Sequence, residues 1–125
     1  MVSQYTILVA DDDLDLLNTL VEALKNEHFN VIAANNGHDA LDNALKQKPD
    51  LIIVDEIMPG ITGIEVLEEL RKDEWGKTAP VLMFTNVENT NHINSALKLG
   101  VSDYLIKSDL HISDIIKIIH EKLRN

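Results

Sequence analysis

The stretch PDLIIVDEIMPGITG, residues 49–63, carries the strongest structural signal in the chain. Its four consecutive branched apolar residues, 51–54, are typical of a strand covered on both faces, as parallel strands are when crossover helices hide both sides of a sheet. Asp55 follows this strand directly. In open α/β sheets, ligands bind beyond the carboxyl ends of the strands, next to the point where the strand order reverses. An isolated Asp after a strand is usually a turn or cap residue, so the role of Asp55 depends on the other strand ends.

Strand-like and helix-like patterns alternate along the rest of the chain. Further strand-like runs occupy residues 5–10, 29–34, 80–84 and 103–106. Apolar residues at helical spacing follow each strand: Leu17, Leu20, Val21 and Leu24; Ala40, Leu41, Ala44 and Leu45; Ile64, Leu67 and Leu70; Ile93, Ala96 and Leu97; and Ile112, Ile115, Ile116, Ile119 and Leu123. Five such β-α units predict a parallel sheet with right-handed crossovers and helices on both faces. The predicted fold class is α/β, a three-layer doubly wound (βα)5 or flavodoxin-like domain of residues 1–125, with strand order 2-1-3-4-5.

Composition restricts the classes of function that the chain can serve. The 125 residues have a formal net charge of −10 and contain no cysteine, which excludes disulfides and thiolate metal sites and disfavours direct binding to nucleic acid or an anionic membrane. No apolar run is long enough to span a bilayer, and the N-terminal stretch MVSQYTILVADDD does not resemble a secretory signal. We therefore expect a cytoplasmic protein.

Three carboxylates are expected to meet at one edge of the sheet. With the first and third strands side by side, Asp11 and Asp12 converge on Asp55. Neighbouring carboxylates repel one another unless a cation is bound. Oxygen ligands without His or Cys nearby suit Mg²⁺, or Mn²⁺, so we predict a site for one such ion. Acidic residues also favour a helix N-terminus, and we assign that capping role to Asp13.

Two other motifs share part of this pattern. Asp11, Asp13, Asp15 and Glu22 have the spacing of a calcium-binding loop, but the sixth position, which requires Gly, is Leu16. The same acids resemble the D-x-D-x-Thr/Val motif of the haloacid-dehalogenase phosphatases, in which the fifth residue would here be Asp15. Neither motif is matched in full.

A hydroxyl and an ammonium group join the carboxylates. Thr85 directly follows the fourth strand-like run and Lys107 follows the fifth. Separately each is unremarkable in its place, but the set on four strand ends is what phosphoryl transfer to a carboxylate needs. An acceptor carboxylate attacks, cations offset the charge of the equatorial oxygens, and a hydroxyl binds one of them.

At these strand ends the sequence resembles the receiver domain of two-component response regulators, the CheY-like family. The resemblance covers the whole chain and rests on ILVADD at 7–12, PDLIIVDEIMPGITG at 49–63, PVLMFT at 80–85 and GVSDYLIK at 100–107. It implies that Asp55 is the phosphoacceptor. It also implies that Asp12, Asp55 and the backbone carbonyl of Ile57 bind Mg²⁺ directly and that Asp11 binds it through water.

The resemblance further implies a signalling switch and not a metabolic enzyme. A sensor histidine kinase or phosphotransfer protein would donate the phosphoryl group, and Thr85 and Tyr104 would act as the switch pair. The surface of the fourth helix, fifth strand and fifth helix would then bind a downstream output protein or domain. Ile118, beside the apolar stripe of the fifth helix, has two interpretations: a contact with a partner or with a second copy in a phosphorylation-dependent homodimer, or a singly exposed isoleucine.

Several positions depart from the family pattern. Ser108 stands where the family usually has Pro, and we expect a trans bond before it. Asn86 replaces a small residue and is expected to crowd or hydrogen-bond the phosphoryl site, whereas Glu56 replaces an apolar residue and is expected to face solvent. Ile57 and Val87 are apolar where family members flank the hydrolytic water, which predicts a long-lived aspartyl phosphate.

Two other functions remain open from the sequence. One is a small Mg²⁺-dependent phosphatase with a covalent aspartyl intermediate, which would turn over phosphate esters repeatedly. The other is an interaction domain that works without phosphorylation, for which the departures at Asn86 and Ser108 leave room and against which the intact acidic set argues. Unaltered partner binding by an Asp55→Asn variant would support this second alternative.

Overall fold

A computed structural model describes residues 5–124. Residues 1–4 and 125 of the predicted single domain lie outside the described part. Five parallel strands form one sheet in the order β2-β1-β3-β4-β5. The strands are β1 (Thr6–Ala10), β2 (Asn30–Ala34), β3 (Leu51–Val54), β4 (Val81–Thr85) and β5 (Asp103–Ile106). The predicted doubly wound fold and strand order are confirmed, with β4 beginning and ending one residue later than expected.

Five helices connect and follow the strands. They are α1 (Leu14–Asn26), α2 (Gly37–Gln47), α3 (Gly63–Lys72), α4 (Thr90–Lys98) and α5 (Ile112–Leu123), with short 3-10 turns at Gly76–Thr78 and Lys107–Asp109. The caps follow from local chemistry: Asp13 accepts the backbone N–H of Leu16, as predicted, and Thr62 and Glu65 form the predicted capping box. None of the helices in residues 5–124 is long and apolar enough to cross a membrane.

Alternate residues of each strand point to opposite faces of the sheet, and each face has its own apolar core. One face packs against α1 and α5, and we call its apolar residues the α1/α5 core; they include Ile53, Leu82 and Ile115. The other packs against α2, α3 and α4 and forms the α2/α3/α4 core, which includes Ile52 and Met83. Because β3 is buried on both faces, all four of its residues are apolar.

The strand register brings the predicted site residues together. Ala10 pairs with Val54 in neighbouring parallel strands, so Asp11 and Asp55 leave the sheet side by side. The backbone N–H of Asp55 donates to the carbonyl of Ala10 at 3.0 Å, which fixes the end of β3 against β1. Ile118 is half-buried and packs against the α1/α5 core.

Candidate functional site

The three predicted carboxylates form one cluster. Ligand oxygens of Asp11, Asp12 and Asp55 lie within 4.8 Å of one another. Asp11 and Asp55 are buried, with 3% and 7% of their surface exposed, whereas Asp12 is exposed. The cluster is therefore closed on the side of the sheet and open to solvent beyond it.

Lys107 lies between two of these carboxylates. Its Nζ donates to Asp11 Oδ2 at 2.6 Å and to Asp55 Oδ2 at 2.9 Å, and it stands 5.9 Å from the centre of the Phe84 ring. Burial acts to lower the pKa of Lys107, but the hydrogen bonds to both carboxylates outweigh burial and raise it. Burial also raises the pKa of Asp11, in opposition to the hydrogen bond from Lys107. The ammonium group stays charged at neutral pH and offsets part of the charge of the cluster.

The donor set fits a hard divalent cation. The cluster offers carboxylate oxygens alone, as Mg²⁺ and Mn²⁺ prefer, and the exposed Asp12 leaves a side open for water or a phosphoryl oxygen. One ammonium group against three carboxylates leaves negative charge that such an ion would balance. The backbone N–H of Ile57 points at Asp55 Oδ1 at 3.4 Å, so the backbone of residue 57 runs beside the cluster.

Thr85 and Tyr104 meet at a single residue of the β4–α4 loop. Thr85 is almost completely buried, and its Oγ1 accepts the backbone N–H of Val87 at 3.3 Å. The Tyr104 hydroxyl donates to the backbone carbonyl of Val87 at 2.9 Å. Burial, together with the negative charges of Glu56 and Asp55, raises the pKa of Tyr104 to about 12. Both members of the predicted switch pair therefore hold the loop that leads into α4.

Two of the departures from the family pattern compensate for each other. The backbone N–H of Ser108, which a proline would lack, donates to Asn86 Oδ1 at 3.0 Å. This bond joins the β4–α4 loop to the segment that carries Lys107. As expected, the peptide bond before Ser108 is trans. The amide of Asn86 is thus engaged with Ser108, and the hydrogen bond supports the backbone next to Lys107.

The prediction that Glu56 faces solvent is wrong. Glu56 is 1% exposed, and its Oε1 lies 3.0 Å from Nδ1 of His92 in the first turn of α4. A tight turn causes this: Gly63 N–H donates to the Glu56 carbonyl at 2.8 Å, and a Cβ on Gly63 would lie 2.3 Å from the carbonyl oxygen of Asp55. The turn holds the backbone after β3 where the Glu56 side chain reaches α4.

The Glu56–His92 contact was missed because its partners lie 36 positions apart and the resemblance assigns no role to either side chain. One feature of the sequence could have indicated the contact. Glu56 replaces an apolar residue, and an acid at a position that is normally apolar needs a partner if it is buried.

The site can be set beside known proteins. The family model for the response regulator receiver domain matches residues 7–120. The alkaline phosphatase synthesis transcriptional regulatory protein PhoP of Bacillus subtilis is 37% identical over 101 residues, which cover 81% of this chain and 41% of PhoP. The DNA-binding response regulator MtrA of Mycolicibacterium paratuberculosis is 35% identical over 101 residues, 81% of this chain and 44% of MtrA.

Solved structures agree with this assignment. A CheY-like receiver domain protein from Methanospirillum hungatei superposes with a TM-score of 0.90 at 25% identity, over 98% of this chain and 95% of that chain. A LuxR-family DNA-binding response regulator from Staphylococcus aureus superposes with a TM-score of 0.84 at 28% identity, over 94% and 98% of the two chains.

The chain belongs to the response regulator receiver domain family, the phospho-signalling class of two-component systems. It spans less than half the length of the curated relatives it matches.

Proposed function

We propose that this receiver domain accepts a phosphoryl group on Asp55 and uses the charge that it gains to alter a protein-binding surface. The observation that carries the proposal is the meeting of one buried carboxylate, Asp55, with Lys107 and with the carboxylates of Asp11 and Asp12. Closely packed ionisable groups at the carboxyl edge of a parallel sheet are the arrangement expected of a reactive site.

The proposed reaction is transfer from a phosphohistidine of a sensor kinase or phosphotransfer protein. A carboxylate oxygen of Asp55 attacks phosphorus, an O–P bond forms, and the N–P bond breaks with its electron pair leaving on the imidazole nitrogen. The product is an acyl phosphate. Lys107 is already bonded to Asp55 Oδ2 and offsets charge on the incoming oxygens, while the Thr85 hydroxyl supplies a donor. Asp11, Asp12, Asp55 and the Ile57 carbonyl would hold Mg²⁺ or Mn²⁺, which when bound neutralises phosphoryl oxygens.

The proposed output surface is formed by α4, β5 and α5. A phosphoryl group adds nearly two negative charges and three acceptor oxygens, which favour any state that brings a donor closer. Thr85 and Tyr104 both contact Val87 at the entrance to α4, so a shift of the Thr85 hydroxyl changes the loop that Tyr104 holds. A downstream output protein or domain would bind the altered surface. Alternatively, a second copy of the chain would bind it and form a homodimer.

Intact mass spectrometry after incubation with acetyl phosphate and Mg²⁺ tests the proposal. We expect the wild-type chain to gain one phosphoryl group, and Asp55→Asn to gain none. Asp42→Asn serves as the matched control, because Asp42 is exposed on α2 and pairs with Lys46 on the same helix. An equal mass gain in Asp55→Asn would refute the assignment, and repeated turnover of a phosphate ester would favour a phosphatase instead.

A second experiment tests the proposed lifetime of the acyl phosphate. Ile57 is 56% exposed and Val87 partly buried, and neither side chain can orient a hydrolytic water by hydrogen bonding. We expect Ile57→Asn to speed dephosphorylation, with Ile57→Leu as the control. Equal lifetimes in the wild type and Ile57→Asn would contradict the idea.

A further inference from the structure

Glu56, the residue that follows Asp55, has a buried carboxylate. Its side chain is 2% exposed, whereas the His92 side chain opposite is 43% exposed. Glutamates are seldom fully buried unless they are paired, because removing a carboxylate from water is costly. The pairing here is incomplete: Oε1 meets His92 Nδ1 at 3.0 Å, and Oε2 has no hydrogen-bond partner among residues 5–124. Glu56 is therefore strongly dependent on His92.

Helix α4 is fastened differently at its two ends. At the C-terminal end, the Arg71 guanidinium donates to the carbonyls of Leu99 at 2.6 Å and Gly100 at 3.1 Å, and it also bonds the carbonyls of Gly76 and Ala79. Hydrogen bonds from a charged group to several carbonyls make a rigid clamp. The end of α4 is thus tied to α3.

Apart from its own N-cap, in which Asn89 Oδ1 accepts the backbone N–H groups of Asn91 at 2.9 Å and His92 at 3.3 Å, the first turn of α4 buries no residue completely. Ala96 is the only fully buried residue of Thr90–Lys98, and Leu97, which continues the apolar spacing of the helix, is 55% exposed. A cavity of about 270 Å³ adjoins the contact and is lined by Glu56, Thr62, Ile64, Asn91, His92 and Ser95. The first turn therefore has room to move once the contact with Glu56 is lost.

We propose that Glu56 is a positioning residue that holds the first turn of α4 through His92, and that α4 pivots about its Arg71-clamped end when this contact changes. The coupling to signalling rests on the proposed function. A phosphoryl group on Asp55 would add negative charge to the residue that precedes Glu56, whose carboxylate is buried and half-paired, and like charges repel more strongly where water is excluded. The β4–α4 loop with Val87 precedes the same turn, so the pivot would also reach the carbonyl that Tyr104 binds.

Amide hydrogen exchange of the unphosphorylated protein tests the positioning role. Glu56→Leu replaces the carboxylate with an apolar side chain of similar size at a buried position. We expect the amides of residues 93–95 to exchange about tenfold faster, while those of residues 100 and 101 and of the strands stay unchanged. Glu56→Gln keeps an oxygen that can accept from His92 and should restore slow exchange. Glu27→Leu, which removes the exposed acid that faces His120, is the matched control and should leave α4 unchanged.

Two results would overturn the positioning role. One is unchanged exchange at residues 93–95 in Glu56→Leu. The other is a uniform increase across α4 and the strands, which would show that Glu56 contributes only to overall stability. His92→Leu gives an independent check, because the same local loosening is expected when the other partner is removed.

The signalling half is measured separately on phosphorylated protein. We expect phosphorylation of the wild type to alter exchange at residues 93–95, and the response to be reduced in Glu56→Leu. If the wild type takes up phosphate and its α4 exchange does not change, the coupling is refuted and the proposed function stands. If the wild type takes up no phosphate, the proposed function fails while the positioning role is still decided by the unphosphorylated protein.

Discussion

Two glutamate–histidine contacts lie on opposite sides of the sheet and differ chiefly in burial. On the α1/α5 side, Glu27 Oε1 lies 2.8 Å from Nε2 of His120, with 42% and 36% of these side chains exposed. On the other side, Glu56 Oε1 lies 3.0 Å from Nδ1 of His92, with 2% and 43% exposed. The chemistry and the distances are nearly the same. Water solvates both partners of the first contact, whereas the Glu56 carboxylate has lost its water and depends on its partner.

The packing around the two contacts adds to the difference in burial. α1 and α5 are joined by a continuous apolar core, and the His120 ring also packs against Phe29 with 5.2 Å between ring centres. α4 buries only Ala96 completely. The Glu27–His120 contact therefore adds to an interface that already exists between α1 and α5. The Glu56–His92 contact, in contrast, is one of the main attachments of α4. We infer that the mobile part of the molecule is the first turn of α4 and not the α1/α5 side.

The largest expected effect comes from the glycine that sets the position of Glu56. Gly63→Ala would place a Cβ 2.3 Å from the Asp55 carbonyl oxygen and force the turn after β3 to move. We expect a loss of about 3 kcal/mol in the free energy of unfolding, measured by urea denaturation. NMR should show a changed environment for the His92 ring and an unchanged one for His120. Equal changes at both rings would contradict the separation of the two sides.

Removing each histidine compares the two contacts directly. His92→Leu leaves the Glu56 carboxylate buried without a partner, and we expect a loss of about 2 kcal/mol, less than for a fully buried pair because His92 is partly exposed. His120→Leu keeps an apolar contact with Phe29 and should cost at most about 0.5 kcal/mol. Adding Glu56→Leu to His92→Leu should regain most of the stability, since the buried charge is then gone. Equal losses in the two single variants would show that burial of Glu56 does not make its contact with His92 the stronger of the two.

The ionisation of Tyr104 reports the charge of Glu56. The pKa of Tyr104, about 12, is above its ordinary value, so the stability linked to its proton is complete below pH 10 and is lost as the pH rises towards 12. We expect about 1–2 kcal/mol of stability to disappear over that interval, and less in Tyr104→Phe, as measured by urea denaturation. The ultraviolet titration should show a lower Tyr104 pKa in Glu56→Gln and no change in Glu27→Gln. A shift in the second variant would mean that the charge acts over the whole molecule.

The smallest expected effect concerns the hydrogen bond between the Ser108 N–H and Asn86 Oδ1, next to Lys107. Asn86→Ala removes the acceptor of the Ser108 N–H at an exposed position, and we expect a loss of about 0.5–1 kcal/mol. Phosphoryl uptake from acetyl phosphate should slow, because the backbone beside Lys107 is held less firmly. Asn94→Ala, at an exposed position in the middle of α4, is the control. Faster uptake in Asn86→Ala would show that Asn86 obstructs the site.

The fold could be predicted from the sequence because its signals are local and repeated. Unbroken apolar runs gave the strands, 3.6-residue spacing gave the helices, and short-range chemistry gave the caps at Asp13 and Thr62. The cluster of Asp11, Asp12, Asp55 and Lys107 followed from the rule that parallel strands present their carboxyl ends at one edge.

The contacts that distinguish this chain could not be predicted in the same way. Asn86 and Ser108 were each recognised as departures, but nothing local indicates that two residues 22 positions apart share a hydrogen bond. Glu56 was placed in solvent because charged residues usually are. Its burial depends on the tight approach of Gly63 to the backbone and on where the first turn of α4 lies, which are properties of the packed molecule.

The residue that carries the phosphoryl group can be identified by chemical trapping. Protein treated with acetyl phosphate and Mg²⁺ is reduced with borohydride, which converts an aspartyl phosphate to homoserine, and the product is mapped by tandem mass spectrometry. We predict homoserine at position 55 and at none of the other aspartates, including Asp11 and Asp12. Homoserine in place of another aspartate would contradict the assignment of Asp55 as the phosphoacceptor. So would the absence of homoserine from protein that has gained the phosphoryl mass.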